Sequence, residues 1–250
     1  MKHARPLVLV HGYGVRGFFW SALRKELEPR FDHIEAPDFE IPRVDDGVVA
    51  VSDLCHRVRE ASQEPVVLVG HSLGGVLAAL AARDTDQSVI SHLVVIASPY
   101  GNRVGRAFGP FLRLRFALGM VGSEEIRRRF FGSNVPESLQ RRVFDAAADE
   151  STELKALSRQ RRWFHTGAFP HGVPQKSLVL ASEADRIVDD RETEGFAHAI
   201  GAQYRLYPAS LGIGHNDFGM HPPAAGRTAT EILGFLEDTS PRLDSSPLSR

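Results

Sequence analysis

At 250 residues, with 42% hydrophobic and 24% charged side chains, the chain has the size and composition to bury one large core in a single soluble domain. Thirty Lys and Arg against 31 Asp and Glu give a net charge of −1, so no overall field attracts nucleic acid or holds the chain on a membrane. A single cysteine, Cys55, excludes an intramolecular disulfide framework, a four-cysteine zinc site and a C-x-x-C redox pair, and no apolar run approaches the roughly 18 residues needed to span a bilayer.

Met1-Lys2-His3-Ala4-Arg5-Pro6 runs directly into the apolar stretch Leu7 to Val10, too short for a signal-peptide core and followed by no cleavage site, so a cytoplasmic location is expected. Strands are predicted at Leu7 to Val10, Val66 to Val69, Leu93 to Ala97, Leu178 to Ala181 and Tyr204 to Tyr207, with a weaker one at Ile34-Glu35-Ala36. The first four are continuously apolar, as befits strands covered on both faces. Helical patterns lie between them, at Phe18 to Leu27, Val48 to Ala61, Leu73 to Ala82, Arg191 to Ile200 and Ala224 to Leu236. That alternation predicts an α/β architecture: a mostly parallel open sheet with helices on both faces and its chemistry at the carboxyl ends of the strands.

Between residues 101 and 172 the alternation stops. Ser123 is placed to cap a helix with Glu124 and Glu125 in its first turn, Arg127, Arg128 and Arg129 near its end, and Gly132 as a stop. Pro136 opens a second, striped by Leu139, Val143, Ala146 and Ala147, and Ser151 can cap a third. These residues form an expected helical cap inserted in a core of residues 1–100 and 173–238, while the Ser/Pro-rich stretch 239–250 reads as a disordered tail. The cap holds 13 Lys and Arg against 7 Asp and Glu, and the rest of the chain 17 against 24. A solvated helical face accounts for this simply; a basic cap that meets an anionic substrate, or touches an acidic lipid surface transiently, is the sharper reading.

Strand Val66 to Val69 runs into Gly70-His71-Ser72-Leu73-Gly74-Gly75 and then a small-residue helix, which is G-x-S-x-G in a strand–turn–helix setting. A serine hydroxyl attacks a carbonyl only when it is exposed, held and next to a base, and a tight turn flanked by glycines meets the first two needs. Ser72 is the candidate nucleophile. The strand Leu7 to Val10 ends in His11-Gly12-Tyr13-Gly14, a turn suited to present a backbone N–H to a developing oxyanion. The donors expected are Tyr13 (Gly14 as next choice) and Leu73, which follows the nucleophile. The side chains of His11 and Tyr13 are expected only to pack this loop. Asp185, in the loop after Leu178 to Ala181, is the candidate orienting acid, ahead of Glu183, Asp189 and Asp190. Of eleven histidines, His215 in Gly212-Ile213-Gly214-His215 is the candidate base, ahead of His221, because it follows the last strand on a glycine-flanked loop. No H-E-x-x-H arrangement occurs, so neither metal nor cofactor is expected.

The order Ser72, Asp185, His215, with the upstream His11-Gly12 turn, resembles the α/β-hydrolase fold family over roughly residues 6–238. It is most similar to lipases and esterases whose sheet lacks the extra amino-terminal hairpin, and Ile96-Ala97-Ser98-Pro99-Tyr100-Gly101 is similar to a turn found in those lipases. The resemblance implies a serine hydrolase acting on small-molecule or lipid esters. Thioester hydrolysis, acyl transfer, C–C bond hydrolysis and a non-catalytic binding protein stand as alternatives. Phe111 and Phe116, among apolar residues interleaved with Arg106, Arg113 and Arg115, suit either a cap helix packed on the core or an amphipathic lid over an apolar pocket; Phe19 is expected to pack, with a substrate-facing wall as the alternative, so all three are candidate pocket walls.

Overall fold

The computed structural model describes residues 3–100, 123–147, 149–160 and 167–238. These hold six strands in one all-parallel sheet: β1 (Leu7–Val10), β2 (Ile34–Glu35), β3 (Val66–His71), β4 (Ile90–Ile96), β5 (Lys176–Ser182) and β6 (Gln203–Tyr207), in the order β2-β1-β3-β4-β5-β6. Every residue of β1 and β3 is buried, which explains the unbroken apolar runs Leu7 to Val10 and Val66 to Val69. Side chains still alternate in direction: Val8 and Val10 join one apolar layer, Leu7 and Leu9 the other. The first layer is closed by α2 (Val44–Ser62), α3 (Leu73–Arg83) and α7 (Asp190–Ile200), and the second by α1 (Ser21–Leu27) and α9 (Pro222–Glu237).

From β1 the chain moves to one side to make β2, then returns to make β3 on the other side of β1. This reversal opens a crevice at the carboxyl ends of β1 and β3, where loops from both strands diverge. In register Val10 pairs with Gly70, and His71 with Ile96. The turn after β1, residue Ser72 and the loop after β4 therefore meet at one rim.

Several boundaries move for local reasons. Gly17–Trp20 forms a 3-10 turn before α1, so the expected helix from Phe18 is two elements. Helix α2 begins earlier than its apolar pattern, at Val44, with Asp45 and Asp46 favourably placed in its first turn, and ends where Gln63 turns left-handed at φ 62°. Strand β4 starts at Ile90, because Ile90 pairs with Val66 even though Ser91 and His92 interrupt the apolar run. A four-residue helix α8 (Asp217–Met220) lies where only a loop is expected from the sequence.

Between β4 and β5 the described residues form α4 (Ser123–Phe130), α5 (Glu137–Asp145) and α6 (Thr152–Gln160). Ser151 caps α6 by accepting the Leu154 N–H at 3.0 Å. Arg127 is buried and bonds Glu124, Glu137 and Gln140, tying α4 to α5. Arg128 pairs with Glu124, Arg129 with Glu125 and Arg141 with Glu137. Among the described residues, the arginines of α4 and Arg141 of α5 are thus paired with carboxylates of the same two helices. Residues 101–122, with Phe111, Phe116 and the rest of the expected lid, lie outside the described residues, as does the tail 239–250. No described helix is long and apolar enough to cross a membrane.

Candidate active site

Ser72 sits between the end of β3 and the start of α3 with φ 53° and ψ −122°. A side-chain-bearing residue in that region of backbone space is strained by about 1–3 kcal/mol, and its surroundings must hold it there. Its N–H donates to Ile96 O at 2.9 Å, and its carbonyl accepts from the N–H groups of Gly75 and Val76. The flanking glycines are required by proximity: a Cβ at Gly70 would collide with the backbone of Gly74 and Gly75, and one at Gly74 with the carbonyls of Val10 and His11. The turn is therefore wedged between two strands. A serine in this position ordinarily caps its own helix, but Ser72 makes no side-chain cap bond. Its Oγ instead lies 3.0 Å from His215 Nε2.

His215 Nδ1 lies 2.8 Å from Asp185 Oδ2, and both side chains are almost wholly buried. An ionised carboxylate only accepts, so Nδ1 carries the proton and Nε2 is left to accept from the serine hydroxyl. The other oxygen of Asp185, Oδ1, accepts the N–H groups of Ile187 and Val188 at 2.7 and 3.0 Å, which fixes the carboxylate's orientation. The competing acids are used elsewhere. Glu183 accepts the Ala209 N–H, Asp189 caps α7 through the Arg191 N–H, and Asp190 opens that helix. His221 stands at the start of α9, its N–H donating to Asp217 O.

Four further groups hold the His215 loop, and none carries a sequence signal of its own. His71 Nε2 lies 2.8 Å from His215 O, so that nitrogen is protonated and donates. Ser182 Oγ donates to Ile213 O at 2.7 Å. Asp217 Oδ2 accepts from Gly214 N–H at 2.7 Å and from Gly132 N–H at 3.0 Å. From the cap, Phe130 O accepts the Asn216 N–H at 2.8 Å, and the Phe130 ring stands edge-on to His215 with centroids 5.9 Å apart.

The turn after β1 closes the other side. His11 is buried; its Nε2 accepts the Phe39 N–H at 2.9 Å and its Nδ1 lies 3.0 Å from Gly12 O, so the ring braces the loop. Gly12 lies against His71 and Ser72, where an added Cβ would be 3.0 Å from Ser72 Cβ. Gly14 N–H donates to Glu150 Oε1 at 2.8 Å, and Arg16 pairs with the same oxygen at 3.1 Å, so the second-choice oxyanion donor is already engaged by a carboxylate of the cap. Leu73 opens α3, whose first N–H groups have no partner within the helix. Phe19 takes the packing place rather than an exposed one. It is fully buried, its ring stacked on His71 at 4.4 Å and edge-on to Trp20, because the 3-10 turn points it into the core. It supports His71 from behind, and no part of its ring is exposed. Among the described residues, no three His, Cys, Asp or Glu side chains cluster as metal donors.

Burial holds three imidazoles neutral: His11, His71 and, at the edge of β4, His92, which is pushed down to about 4. Unfolded, each titrates near 6.5. Below that pH the unfolded chain binds more protons than the native one, so stability falls as pH is lowered from 6.5 toward the depressed values. Asp217 has the opposite sign: burial raises it to about 6, so between about 3.8 and 6 the native chain binds more protons and stability rises as pH falls. The imidazoles outnumber the carboxyl, and the melting temperature is expected to drop between pH 7 and pH 5. A melting temperature that is constant or rising over that range would contradict neutral rings at His11, His71 and His92.

Residues 7–225 match the alpha/beta hydrolase family. A curated relative, the pimeloyl-(acyl-carrier protein) methyl ester esterase of Yersinia pseudotuberculosis, is 27% identical over 95 residues, which are 37% of this chain and 36% of that protein. The chain thus spans about a third of the length of the curated relatives it matches. An esterase from Exiguobacterium antarcticum superposes with a TM-score of 0.72 at 17% identity, covering 95% of this chain and 94% of its own. A 2-hydroxy-6-oxo-6-phenylhexa-2,4-dienoate hydrolase from a Rhodococcus species does so at 0.70 and 17%, covering 93% and 92%. Identities this low speak to a shared fold.

Proposed function

We propose that this chain, which belongs to the alpha/beta hydrolase family, is a serine hydrolase that cleaves carboxylic esters through an acyl-enzyme on Ser72. The observation that carries the reading is the unbroken path from Ser72 Oγ to His215 Nε2 at 3.0 Å and from His215 Nδ1 to Asp185 Oδ2 at 2.8 Å, with the serine hydroxyl not spent on capping its helix. His215 takes the hydroxyl proton as Ser72 attacks the ester carbonyl, and Asp185 holds the imidazole and stabilises its cation. The backbone N–H groups of Leu73 and Tyr13 receive the developing oxyanion. Protonated His215 then gives its proton to the leaving alcohol. Water, activated by the same imidazole, repeats the attack and frees the acid.

Esters are favoured as substrates because the curated relative and one of the structural neighbours are esterases. The Rhodococcus hydrolase shows that the same fold also hosts other hydrolytic chemistry, so C–C bond cleavage is the second reading. A panel of p-nitrophenyl esters of graded acyl length, with matched thioesters and a vinylogous diketone, separates these readings when run beside labelling with a fluorophosphonate. Turnover of the oxygen esters and a phosphonate adduct on Ser72 are expected. A protein that binds ligands but neither turns over the panel nor takes the label would be a non-catalytic relative, and turnover of the diketone alone would replace the ester reading.

A further inference from the structure

We infer that Asp217 is a positioning residue for His215, fixing the loop that carries the imidazole against the end of cap helix α4 through one carboxylate oxygen. This rests on the reading of His215 as the base. Asp217 is 1% exposed, and its Oδ2 accepts at once from Gly214 N–H, immediately before His215, and from Gly132 N–H, just beyond α4. Its own N–H donates to Gly214 O at 3.2 Å, so Gly214 is bound to Asp217 through both its polar groups. The two intervening residues are held as well, His215 O by His71 and Asn216 N–H by Phe130 O. Neither glycine has room for a side chain: a Cβ at Gly214 would strike Gly132 and Phe131, and one at Gly132 would strike Gly212 and Asp217.

A carboxylate is a poor choice for mere filling at this place. Burying its charge is unfavourable, and Oδ1 has no hydrogen-bond partner among the described residues. Burial raises its pKa to about 6, and the charges it feels are those of Asp185 and His215. What it supplies that an apolar side chain would not is an acceptor for two buried N–H donors, one from the catalytic loop and one from the cap. Charge-assisted bonds are short and directional, so they set the height of the imidazole above Ser72. The same oxygen makes cap docking and imidazole placement a single arrangement.

Asp217→Ala removes the acceptor, and Asp217→Asn keeps a neutral carbonyl able to accept both bonds more weakly. Both variants are compared with wild type by kcat, KM and the second-order rate of inactivation by a fluorophosphonate, with thermal melts to score folding. We expect Asp217→Asn to lower kcat and the inactivation rate by about 3- to 10-fold, and Asp217→Ala to lower both by about 100-fold, the scale of an ångström's misplacement of a reacting group. KM stays within about twofold for both, because substrate contacts are not touched. An Asn variant at wild-type rate overturns the inference, as does an Ala variant no slower than Asn, or a loss that appears in KM. Should the Ala variant fail to fold, the Asn variant decides alone by the same criterion. Wild-type protein that neither turns over esters nor takes the phosphonate would instead overturn the reading of the site, and this inference with it.

Discussion

Ser72→Ala is expected to lower kcat for the best ester of the panel by on the order of 10⁶-fold, or about 8 kcal/mol of barrier, with substrate binding intact. The substitution removes one atom and little else. Alanine keeps the Cβ that lies against Gly12, and it adopts φ 53° with strain like that of serine, so the turn between β3 and α3 keeps its shape. Because Oγ makes no cap bond, its removal does not loosen α3, and the melting temperature should move by no more than a few degrees. His215 keeps its bond to Asp185 but loses the only atom it is placed to activate. The backbone donors proposed for the oxyanion, Leu73 and Tyr13, would remain, which leaves an expected residual rate above that in water.

The same argument predicts non-additivity. His215→Ala deprives Ser72 of its base and should cost nearly as much as Ser72→Ala, and the double variant should be no slower than either single one. Independent contributions would multiply; members of one proton path do not. Steady-state kinetics on the two single variants and the double variant decide this. A Ser72→Ala protein retaining more than about 1% of wild-type kcat, well above the residual expected, would place the chemistry elsewhere.

The sheet is legible in the sequence because burial on both faces writes β1, β3 and the heart of β5 as unbroken apolar runs, and the helices between them as separate stripes. The positions of Ser72, Asp185 and His215 are legible for a different reason. Each follows a strand, and in an open parallel sheet the residues after the strands share one rim. The supports are another matter. Glu150 reaches Gly14 across 136 residues, and Asp217 reaches Gly132 across 85. Neither leaves a period or a motif, because what selects them is a bare N–H brought near by the folded cap. Phe19 is ambiguous in the sequence for a related cause. Three aromatic residues in succession do not specify which rings are buried, and only the direction of the 3-10 turn does: Phe19 and Trp20 enter the core while Phe18 stays exposed. Helix α8, at four residues, is too short for any periodicity to register.

Asp185→Asn is expected to lower kcat by about 10⁴-fold, or about 5.5 kcal/mol, although it changes neither the size of the side chain nor its place. The reason lies in the division of labour between its two oxygens. Oδ1 accepts from Ile187 and Val188, so an asparagine must put its carbonyl oxygen there; the reverse orientation would set an NH2 group against two N–H donors. The amide nitrogen is then fixed where Oδ2 stood, 2.8 Å from His215 Nδ1, and it donates. The imidazole must accept at Nδ1 and carry its proton on Nε2, the nitrogen that faces Ser72 Oγ. A ring in that tautomer is no base for the serine, and the cation that would form on proton transfer has lost its counter-charge in a site almost closed to water. The loss should therefore appear in kcat and in the rate of fluorophosphonate labelling alike, with KM and the melting temperature little changed. Asp185→Ala separates the two parts of this account. It frees the imidazole to take either tautomer but leaves the N–H groups of Ile187 and Val188 buried without an acceptor, so it should be the less stable variant while being no slower than Asp185→Asn. An Asp185→Asn protein within about tenfold of wild type would mean that the carboxylate at this position does not set the imidazole's proton, and the path from Ser72 would end at His215.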